Sequence, residues 1–405
     1  MGGLETGAWE LAQGLVQSAG QQVTLIIESP RRSGWQQIRG VQVRTVQNRW
    51  RAMREDFSNS VDIAAGWKLK RFRWRLLYQF PLLCATRPWR APDPPPLAAD
   101  PRLLEITCDV WAAFGVNQDA ARVVATARRQ GRPSILFLES NADVSCGPAS
   151  SQLQTEPQTT RQSEPDDANA YGVTAAERKF CLSQATAVVC QSHWQMHHLQ
   201  VGWGRQGTLI RNPIRLAEWR SARVADQAAA SYVLWIGRYD DFHKRPLLAL
   251  EIARLCPQIP FRMIINAGAA QIEQQVRHGR PANVSLVDYV PYDRMPEVFS
   301  QARVMLSTSA AAHEGFPNVI LQAAASGTPI VSLEDFDDFI TASGAGECSG
   351  GDLAAAARLV QAAWQRGTAP DAARVAAALQ EFEQPHVARQ VAHLAASLHA
   401  PGQNA

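Results

Sequence analysis

The chain has 405 residues, of which 46% are hydrophobic and 19% are charged. Single hydrophobic cores stop growing at roughly 250–300 residues, so this length predicts two domains, and the composition excludes a disordered or collagen-like chain. No apolar run approaches the ~18 residues of a membrane-spanning helix, and the N-terminus lacks the pattern of a secretory signal. The seven cysteines are odd in number and form no CxxC pair, which argues against a disulfide framework or a zinc site and predicts a cytoplasmic protein.

The N-terminal half alternates predicted helices and strands. Ala8, Leu11 and Leu15 recur at helical spacing ahead of the β-branched run 23–27, and a second strand–helix–strand unit covers residues 109–138. A further strand is predicted at 187–190. Such alternation implies parallel strand pairing in a layered α/β domain.

A strongly basic block lies within this half. Residues 31–90 contain 14 Lys and Arg against three acids, a local charge of +11, so the rest of the chain sums to −8. Within the block, residues 67–78 interleave cations with aromatic residues and leucines. This pattern suits an anionic membrane surface, where each cation contributes about 1 kcal/mol, although a solvated basic face has the same composition. Nucleic acid is not expected as a partner, because no recognition motif accompanies the charge.

The chain then passes through a polar segment into a second alternating set. Residues 144–170 are rich in Ser, Gln, Thr, Pro and Asp and are predicted to form a flexible loop. Strands follow at 232–236, 261–265, 284–287, 304–306 and 329–332. We predict an α/β fold of two Rossmann-like domains facing each other across a cleft. The predicted boundaries are 1–225 for the first domain, 226–380 for the second, and 381–405 for a C-terminal helix that packs back on the first.

The most informative motif is the stretch from His313 to Pro329. Pro317 suits the first turn of a helix and Gly327 its exit, so Glu314 precedes this helix and Gln322 lies within it. A helix N-terminus that follows a strand offers backbone N–H groups and a positive dipole to a phosphate. Taken alone, the motif is also compatible with an ordinary βα turn whose Glu faces solvent.

A second motif, residues 237–246, follows the strand at 232–236 and opens another predicted helix. Arg238 supplies a planar guanidinium fork and Lys244 a point charge, and together they can neutralise a diphosphate leaving group. A solvated basic turn is the alternative. The presence of both motifs in one predicted domain favours the diphosphate site.

In order and spacing these motifs resemble the GT-B nucleotide-sugar glycosyltransferases of glycosyltransferase family 4, a retaining group also called group 1. The resemblance spans nearly the whole chain. Residues 2–5 are similar to the family's opening glycine loop, and residues 191–195 and 211–214 are similar to the end of its acceptor-binding domain. The first predicted domain is thereby implied to bind the acceptor and the second the nucleotide-sugar donor.

The resemblance also implies site residues. Arg238, Lys244 and Glu314 are the implied catalytic residues, with the two cations on the donor diphosphate and Glu314 on the transferred sugar. The remaining implied donor contacts are Gly237, Gly315, Phe316, Pro317, Asn318, Val319 and Gln322, with backbone amides of 316–319 on the donor and Gln322 on the ribose. Gly2 and Gly3 are implied to approach from the acceptor side. By location after the predicted strand at 134–138, Glu139 and Asp143 are candidate bases.

The implied reaction moves a sugar from a nucleotide-diphosphate sugar to a glycan, polysaccharide or lipid-linked acceptor with retained anomeric configuration. No metal or other cofactor is implied. A lipid-linked acceptor would place the enzyme in the cytoplasm on the inner face of the membrane. Two alternatives stay open: a catalytically impaired nucleotide-sugar-binding module, and a GT-B sugar-nucleotide epimerase.

Three departures from the family pattern stand out. The second Glu of the family motif is Gln322, which keeps hydrogen-bonding capacity and loses charge. The glycine-rich turn after the second donor-domain strand reads Asn266-Ala267-Gly268-Ala269-Ala270, a looser match. The buried strand that the family places before the glycine loop is missing from the sequence, which is expected to uncover its neighbours in the sheet.

Overall fold

The computed structural model describes residues 3–29, 33–47, 53–54, 57, 60–62, 68–69, 72–86, 97–145, 168–169, 171–221, 231–366 and 371–399. Three predictions lie wholly or largely outside these residues: the loop 144–170, Gly2, and the domain boundary between residues 225 and 226. Within the described ranges, no helix is both long and apolar enough to cross a bilayer.

The N-terminal domain is built from the predicted parallel α/β units. Its strands are β1 (Thr24–Ser29), β2 (Gly34–Ile38), β3 (Val41–Gln47), β4 (Val61–Asp62), β5 (Lys68–Leu69), β6 (Trp111–Phe114), β7 (Ser134–Phe137), β8 (Ala187–Cys190) and β9 (Thr208–Leu209). The helices of this half of the chain are α1 (Gly3–Ala19), α2 (Leu76–Thr86), α3 (Pro101–Leu104), α4 (Gln118–Gln130), α5 (Ala175–Gln184), α6 (His193–Trp203) and α7 (Leu216–Ser221). Of these, α7 packs into the core of the C-terminal domain through Leu216 and Trp219. Strands β6, β7, β8 and β9 pair in this order, all parallel.

The remaining strands of this domain form separate sheets. Strand β1 pairs in parallel with β3, which also pairs with β2, and β4 pairs with β5. Among the described strands none joins β1 to β6, although Ile26 of β1 packs against the apolar cluster that contains Trp111 of β6. In the described part of the chain, a break in the N-terminal sheet therefore separates β1 from β6.

The C-terminal domain has one six-stranded sheet. Its strands are β10 (Tyr232–Arg238), β11 (Phe261–Asn266), β12 (Val284–Val287), β13 (Ala302–Ser307), β14 (Ile330–Ser332) and β15 (Gly346–Cys348). The helices are α8 (Pro246–Leu255), α9 (Ala270–Gly279), α10 (Met295–Ser300), α11 (Asn318–Ser326), α12 (Phe339–Ser343), α13 (Leu353–Arg366), α14 (Ala372–Ala378) and α15 (Gln384–His399). All six strands are parallel in the order β12-β11-β10-β13-β14-β15. The predicted pair of Rossmann-like domains is confirmed.

This strand order positions the site. Strands β10 and β13 are neighbours, but the chain runs from β10 away to β11 and β12 before it returns to β13. In an open parallel sheet, a crevice forms at the carboxyl ends of two such strands, where the strand order reverses. The sheet is enclosed there, because helices cover both faces and Val233, Leu234 and Trp235 of β10 are fully buried.

The last helix connects the C-terminal end of the chain to the N-terminal domain. Val387 and Val391 of α15 belong to the same buried cluster as Leu11 of α1. Gly14 permits the close approach of the two helices, because a Cβ at this position would lie 2.8 Å from Gln384 Cγ. Helices α1 and α15 therefore pack as one unit.

A buried ion pair sits at this crossing. The Glu10 carboxylate accepts hydrogen bonds from Arg215 at 2.6 and 2.7 Å and from Gln384 Nε2 at 2.9 Å. Burial raises the pKa of Glu10, and the Arg215 guanidinium opposes this shift. The cation therefore offsets the cost of placing a carboxylate in the interior.

Replacing Arg215 with alanine leaves Glu10 buried without its cation. We expect the free energy of unfolding, measured in urea at pH 7, to fall by about 3–5 kcal/mol. The control is R294A, which breaks an exposed ion pair with Glu297 and should cost less than about 1 kcal/mol. Equal losses in the two variants would contradict this role of Arg215.

Candidate active site

The first half of the site is the loop between β13 and α11. His313 and Glu314 both donate their backbone N–H groups to the carbonyl of Ala310, at 3.0 Å each. Pro317 directly precedes α11 with a φ of −68°, and Gly327 ends the helix at a φ of +72°. The predicted arrangement therefore holds, with Glu314 ahead of the helix and Gln322 inside it.

The second half is the turn that leaves β10 at Arg238. The Asp240 carboxylate accepts hydrogen bonds from the backbone N–H groups of His243 at 3.0 Å and Lys244 at 2.7 Å, which fixes the turn. Arg245 then takes a left-handed conformation, at a φ of +51°. Its guanidinium donates to the carbonyls of Thr308 and Ser309, at 2.6 and 2.8 Å, and so joins this turn to the loop after β13.

The two halves meet at the Glu314 carboxylate. Lys244 Nζ forms an ion pair with Glu314 Oε2, and His243 Nε2 lies 2.7 Å from the same oxygen. Burial alone would raise the pKa of Glu314, but the charges of Lys244 and His243 lower it well below its ordinary value. Glu314 is therefore an ionised carboxylate held between two nitrogen donors at neutral pH.

Arg238 stands at the open side of this cluster. Its guanidinium is paired with the Asp240 carboxylate and lies 5.9 Å from the centre of the Tyr171 ring. The side chain is 43% exposed, in contrast to Lys244 at 17%. Arg238 thus presents positive charge to solvent beside the buried Lys244–Glu314 pair.

Side chains of the N-terminal domain close over the Glu314 loop. Ser140 Oγ donates to the carbonyl of His313 at 2.6 Å, and Asn141 Nδ2 donates to the carbonyl of Ala311 at 2.6 Å. The Tyr171 hydroxyl donates to the His313 carbonyl at 3.2 Å and lies 3.1 Å from His243 Nδ1. The cleft between the domains is bridged at this loop.

A second group of bridges lies next to the start of α11. Gln191 Oε1 accepts a hydrogen bond from the backbone N–H of Phe316 at 3.2 Å, and Asn212 Nδ2 donates to Asn318 Oδ1 at 3.0 Å. The domains approach so closely here that a Cβ on Gly315 would lie 2.8 Å from Gln191 Oε1. Gly315 is thus required by the packing of one domain on the other.

The remaining predicted residues lie in different surroundings. Gln322 is buried, and Val319 packs against the apolar core. Gly237 faces the Trp235 ring, which leaves no space for a side chain. Gly3 begins α1 instead of forming a loop before it.

Two acidic residues after β7 face the Glu314 loop from the first domain. Burial raises the pKa of Glu139 to about 8; Gln191 opposes the shift by hydrogen bonding, and the charges of Asp143, Glu314 and Glu5 add to it. Burial also raises the pKa of Asp143, to about 6, against hydrogen bonds from the backbone N–H groups of Glu139 and Ser140. Glu139 therefore holds a proton at neutral pH, which limits the negative charge beside Glu314.

Sequence analysis did not identify several residues of this site: Ser140, Asn141, Tyr171, Asn212, Asp240 and His243. His243 is adjacent to the predicted Lys244, and Asn212 lies inside the segment 211–214 that carries the family resemblance. Asp240 lies in the predicted basic turn. For Tyr171, which follows the polar segment 144–170, no local pattern indicates a role.

The protonation of Glu139 predicts a dependence of stability on pH. Glu139 releases its proton near pH 4.5 when unfolded and near pH 8 when folded, so between these values the folded state binds more protons and loses stability as pH rises. The free energies of unfolding of the wild type and of E139Q, measured by heat or urea, should therefore change differently with pH. From pH 5 to pH 8 the wild type should lose roughly 1–3 kcal/mol relative to E139Q.

The control variant is E347Q, which removes a carboxylate that is 49% exposed and should leave the wild-type pH profile unchanged. A wild-type profile parallel to that of E139Q would show that Glu139 is ionised in the folded protein.

Comparison with known proteins agrees with this architecture. Residues 230–362 match the family model described as glycosyl transferases group 1. The chain is similar in structure to a sucrose-phosphate synthase from Thermosynechococcus elongatus, at 17% identity and a TM-score of 0.61, covering 99% of this chain and 94% of that one. No significant match was found among curated protein sequences.

Two further solved structures have the same fold over the whole chain. The alpha,alpha-trehalose-phosphate synthase (UDP-forming) from Burkholderia vietnamiensis is 13% identical, with a TM-score of 0.58 and coverage of 99% and 95%. A glycosyltransferase from Rickettsia africae ESF-5 is 9% identical, with a TM-score of 0.57 and coverage of 99% and 96%. At these identities the likeness establishes the fold alone. Residues 230–362 are thus similar to the group 1 glycosyl transferases, and the chain as a whole has the two-domain GT-B fold.

Proposed function

We propose that this enzyme transfers a sugar from a nucleoside-diphosphate sugar to the hydroxyl group of a glycan or lipid-linked acceptor, with retention of the anomeric configuration. The observation that carries the proposal is the convergence of Lys244 and His243 on the Glu314 carboxylate, beside the start of α11 and the partly exposed Arg238. This convergence brings the two predicted motifs together at the carboxyl ends of β10 and β13.

The charges of this crevice support a diphosphate as the leaving group. Arg238 and Lys244 supply two cations, and the N-terminus of α11 adds the positive end of a helix dipole. The backbone N–H of Phe316 is already bonded to Gln191, so the contribution of the helix to the donor begins after this residue. Cations fixed before the reaction stabilise the charge that develops on a departing diphosphate without a cost of reorganisation.

Glu314 has a different role, because its charge has the wrong sign for a phosphate. Its carboxylate can accept hydrogen bonds from the hydroxyl groups of the transferred sugar, and its low pKa keeps it an acceptor throughout the neutral range. The ion pair with Lys244 places this acceptor next to the diphosphate site. Gln322, within α11, is proposed as the contact to the ribose.

The proposed chemistry is a single exchange at the anomeric carbon. The bond from this carbon to the diphosphate oxygen breaks, and a bond to the acceptor hydroxyl oxygen forms on the same face of the sugar. The hydroxyl proton passes to the departing diphosphate, so that no net charge is left on the protein. Arg238 and Lys244 supply the charge stabilisation for this step, so the proposal requires no metal ion.

The closed contacts between the domains support water exclusion during transfer. Ser140, Asn141 and Tyr171 hold the Glu314 loop from the first domain. Closure of this kind positions the reactants and limits hydrolysis of the donor. We further propose that the acceptor enters from the first domain and that the enzyme acts in the cytoplasm.

Two other functions make different experimental predictions. A nucleotide-sugar-binding module, suggested by Gln322 and the interrupted sheet, would bind the donor without transfer or hydrolysis. A GT-B epimerase would convert the donor sugar without any acceptor, and Glu139 is a carboxyl group in the cleft that such a reaction could use. Analysis of products with and without an acceptor separates all three.

Nucleoside diphosphates should stabilise the folded protein. UDP is the first probe, since one structural neighbour is a UDP-forming synthase. At a concentration 100 times its Kd, a ligand that binds only the folded state adds about 2.7 kcal/mol, which raises the Tm by several degrees. The corresponding monophosphates should give a smaller rise, and no rise with any nucleoside diphosphate tested would contradict the donor site.

Substitution of the central residues should slow transfer strongly while the protein stays folded. We expect K244A and E314A each to lower the rate of sugar transfer by roughly 10²–10³, because each removes a charge fixed at the reacting groups. The measurement is release of nucleoside diphosphate in the presence of acceptor, with circular dichroism as the check on folding.

The matched control is K179A, which removes an exposed lysine from α5, away from these contacts. A rate in K244A or E314A close to that in K179A would remove the assigned residues from the active site.

A further inference from the structure

Helix α2 has an unusual composition for its position at the surface. Its sequence, LLYQFPLLCAT, contains no charged residue. One face is buried through Leu76, Gln79 and Leu83, but the opposite side is open to solvent. A helix that is apolar on all sides is normally enclosed by protein or by lipid.

The exposed side of α2 is part of a larger apolar surface. The most exposed members are Leu77 at 70%, Trp74 at 66% and Phe72 at 63%. Tyr78 and Leu82 are also exposed, and the Trp74 and Tyr78 rings lie 5.7 Å apart. We call these five residues the α2 surface. Phe80 is not counted, because its ring stacks on that of Phe57 with centroids 5.2 Å apart. Soluble proteins rarely expose so many large apolar side chains on one short segment unless they bind something.

Arginines lie within and on both sides of this segment in the sequence. Arg73 and Arg75 alternate with its aromatic residues and are both exposed, and the Arg75 guanidinium lies 6.0 Å from the centre of the Trp74 ring. Along the sequence, Arg71 precedes the segment, and Arg87 and Arg90 follow α2. The whole block, residues 31–90, carries a charge of +11.

Exposed apolar side chains next to arginines suit the interface of an anionic bilayer better than they suit a nucleic acid. Tryptophan and tyrosine rings settle at the level of lipid headgroups, leucine and phenylalanine reach the acyl chains, and arginines pair with anionic headgroups. With 11 residues α2 is about 16 Å long, too short to span a bilayer but long enough to lie in its surface. The phosphate backbone of a nucleic acid is charged and offers no apolar surface to the uncharged exposed face of this helix.

We infer that the α2 surface docks the enzyme on a membrane that contains anionic phospholipids, with α2 lying in the plane of the headgroups and Arg73 and Arg75 on the phosphates. The inference goes beyond the proposed function and does not rest on it. Docking would bring the N-terminal domain, which is proposed to receive the acceptor, close to lipid-linked molecules.

The test is co-sedimentation of the full chain with vesicles of phosphatidylcholine alone or mixed with phosphatidylglycerol, at low and high salt. We expect binding only to the anionic vesicles and weaker binding at high salt. R73A/R75A should lower the vesicle partition coefficient by more than tenfold, because each cation contributes about 1 kcal/mol. W74A/L77S should lower it at both salt concentrations.

The matched controls remove exposed residues outside the α2 surface. R128A/R129A deletes two exposed arginines from the end of α4, and Y289A deletes an exposed aromatic residue of the C-terminal domain. Both should bind vesicles like the wild type. Transfer to a soluble acceptor should be unchanged in all four variants, so failure of the docking inference can be told from failure of the proposed function.

Three results would overturn the inference. The first is equal pelleting of the α2-surface variants and the controls. The second is equal binding to neutral and anionic vesicles. The third is tighter binding to a single-stranded oligonucleotide than to vesicles, lost in R73A/R75A, which would assign the surface to nucleic acid.

Discussion

A buried carboxylate held by two nitrogen donors is the interaction on which this site depends. Glu314 is ionised in the interior only because Lys244 and His243 lie against it. Those two residues are in turn fixed by hydrogen bonds from their backbone N–H groups to Asp240. The parallel pairing of β10 with β13 brings the two loops together, so the electrostatics of the site follow from the order of the strands.

The same loop is where the two domains meet. The first domain contacts the Glu314 loop mainly through its backbone carbonyls, with Ser140 and Asn141 as donors. These hydrogen bonds hold the loop, while the Glu314 carboxylate is bound by Lys244 and His243 of its own domain. Glu139 lies behind these contacts as a protonated acid, so that closing the domains does not set two carboxylates against each other.

The sequence predicts the parts of this structure that depend on local pattern. The strands β10 to β14 are apolar runs flanked by helices, and their existence follows from composition and spacing alone. Lys244 and Glu314 belong to motifs with recognisable turn and helix signals. Tyr171 and Asn212 could not be found in this way, because their roles arise from packing between segments more than 70 residues apart in the chain. Gly3 likewise lies in α1 where a glycine loop was expected, and this helix packs on α15 from the far end of the chain.

The central claim is that the Lys244–Glu314 crevice holds a diphosphate between Arg238 and the start of α11. The most direct measurement is a crystal structure of the protein with a bound nucleoside diphosphate. The account predicts phosphate oxygens within hydrogen-bonding distance of the Arg238 guanidinium and Lys244 Nζ, with the terminal phosphate facing the N-terminus of α11 and Glu314 directed to the position of the sugar. Diphosphate bound elsewhere, with the Lys244–Glu314 pair facing no ligand, would contradict it.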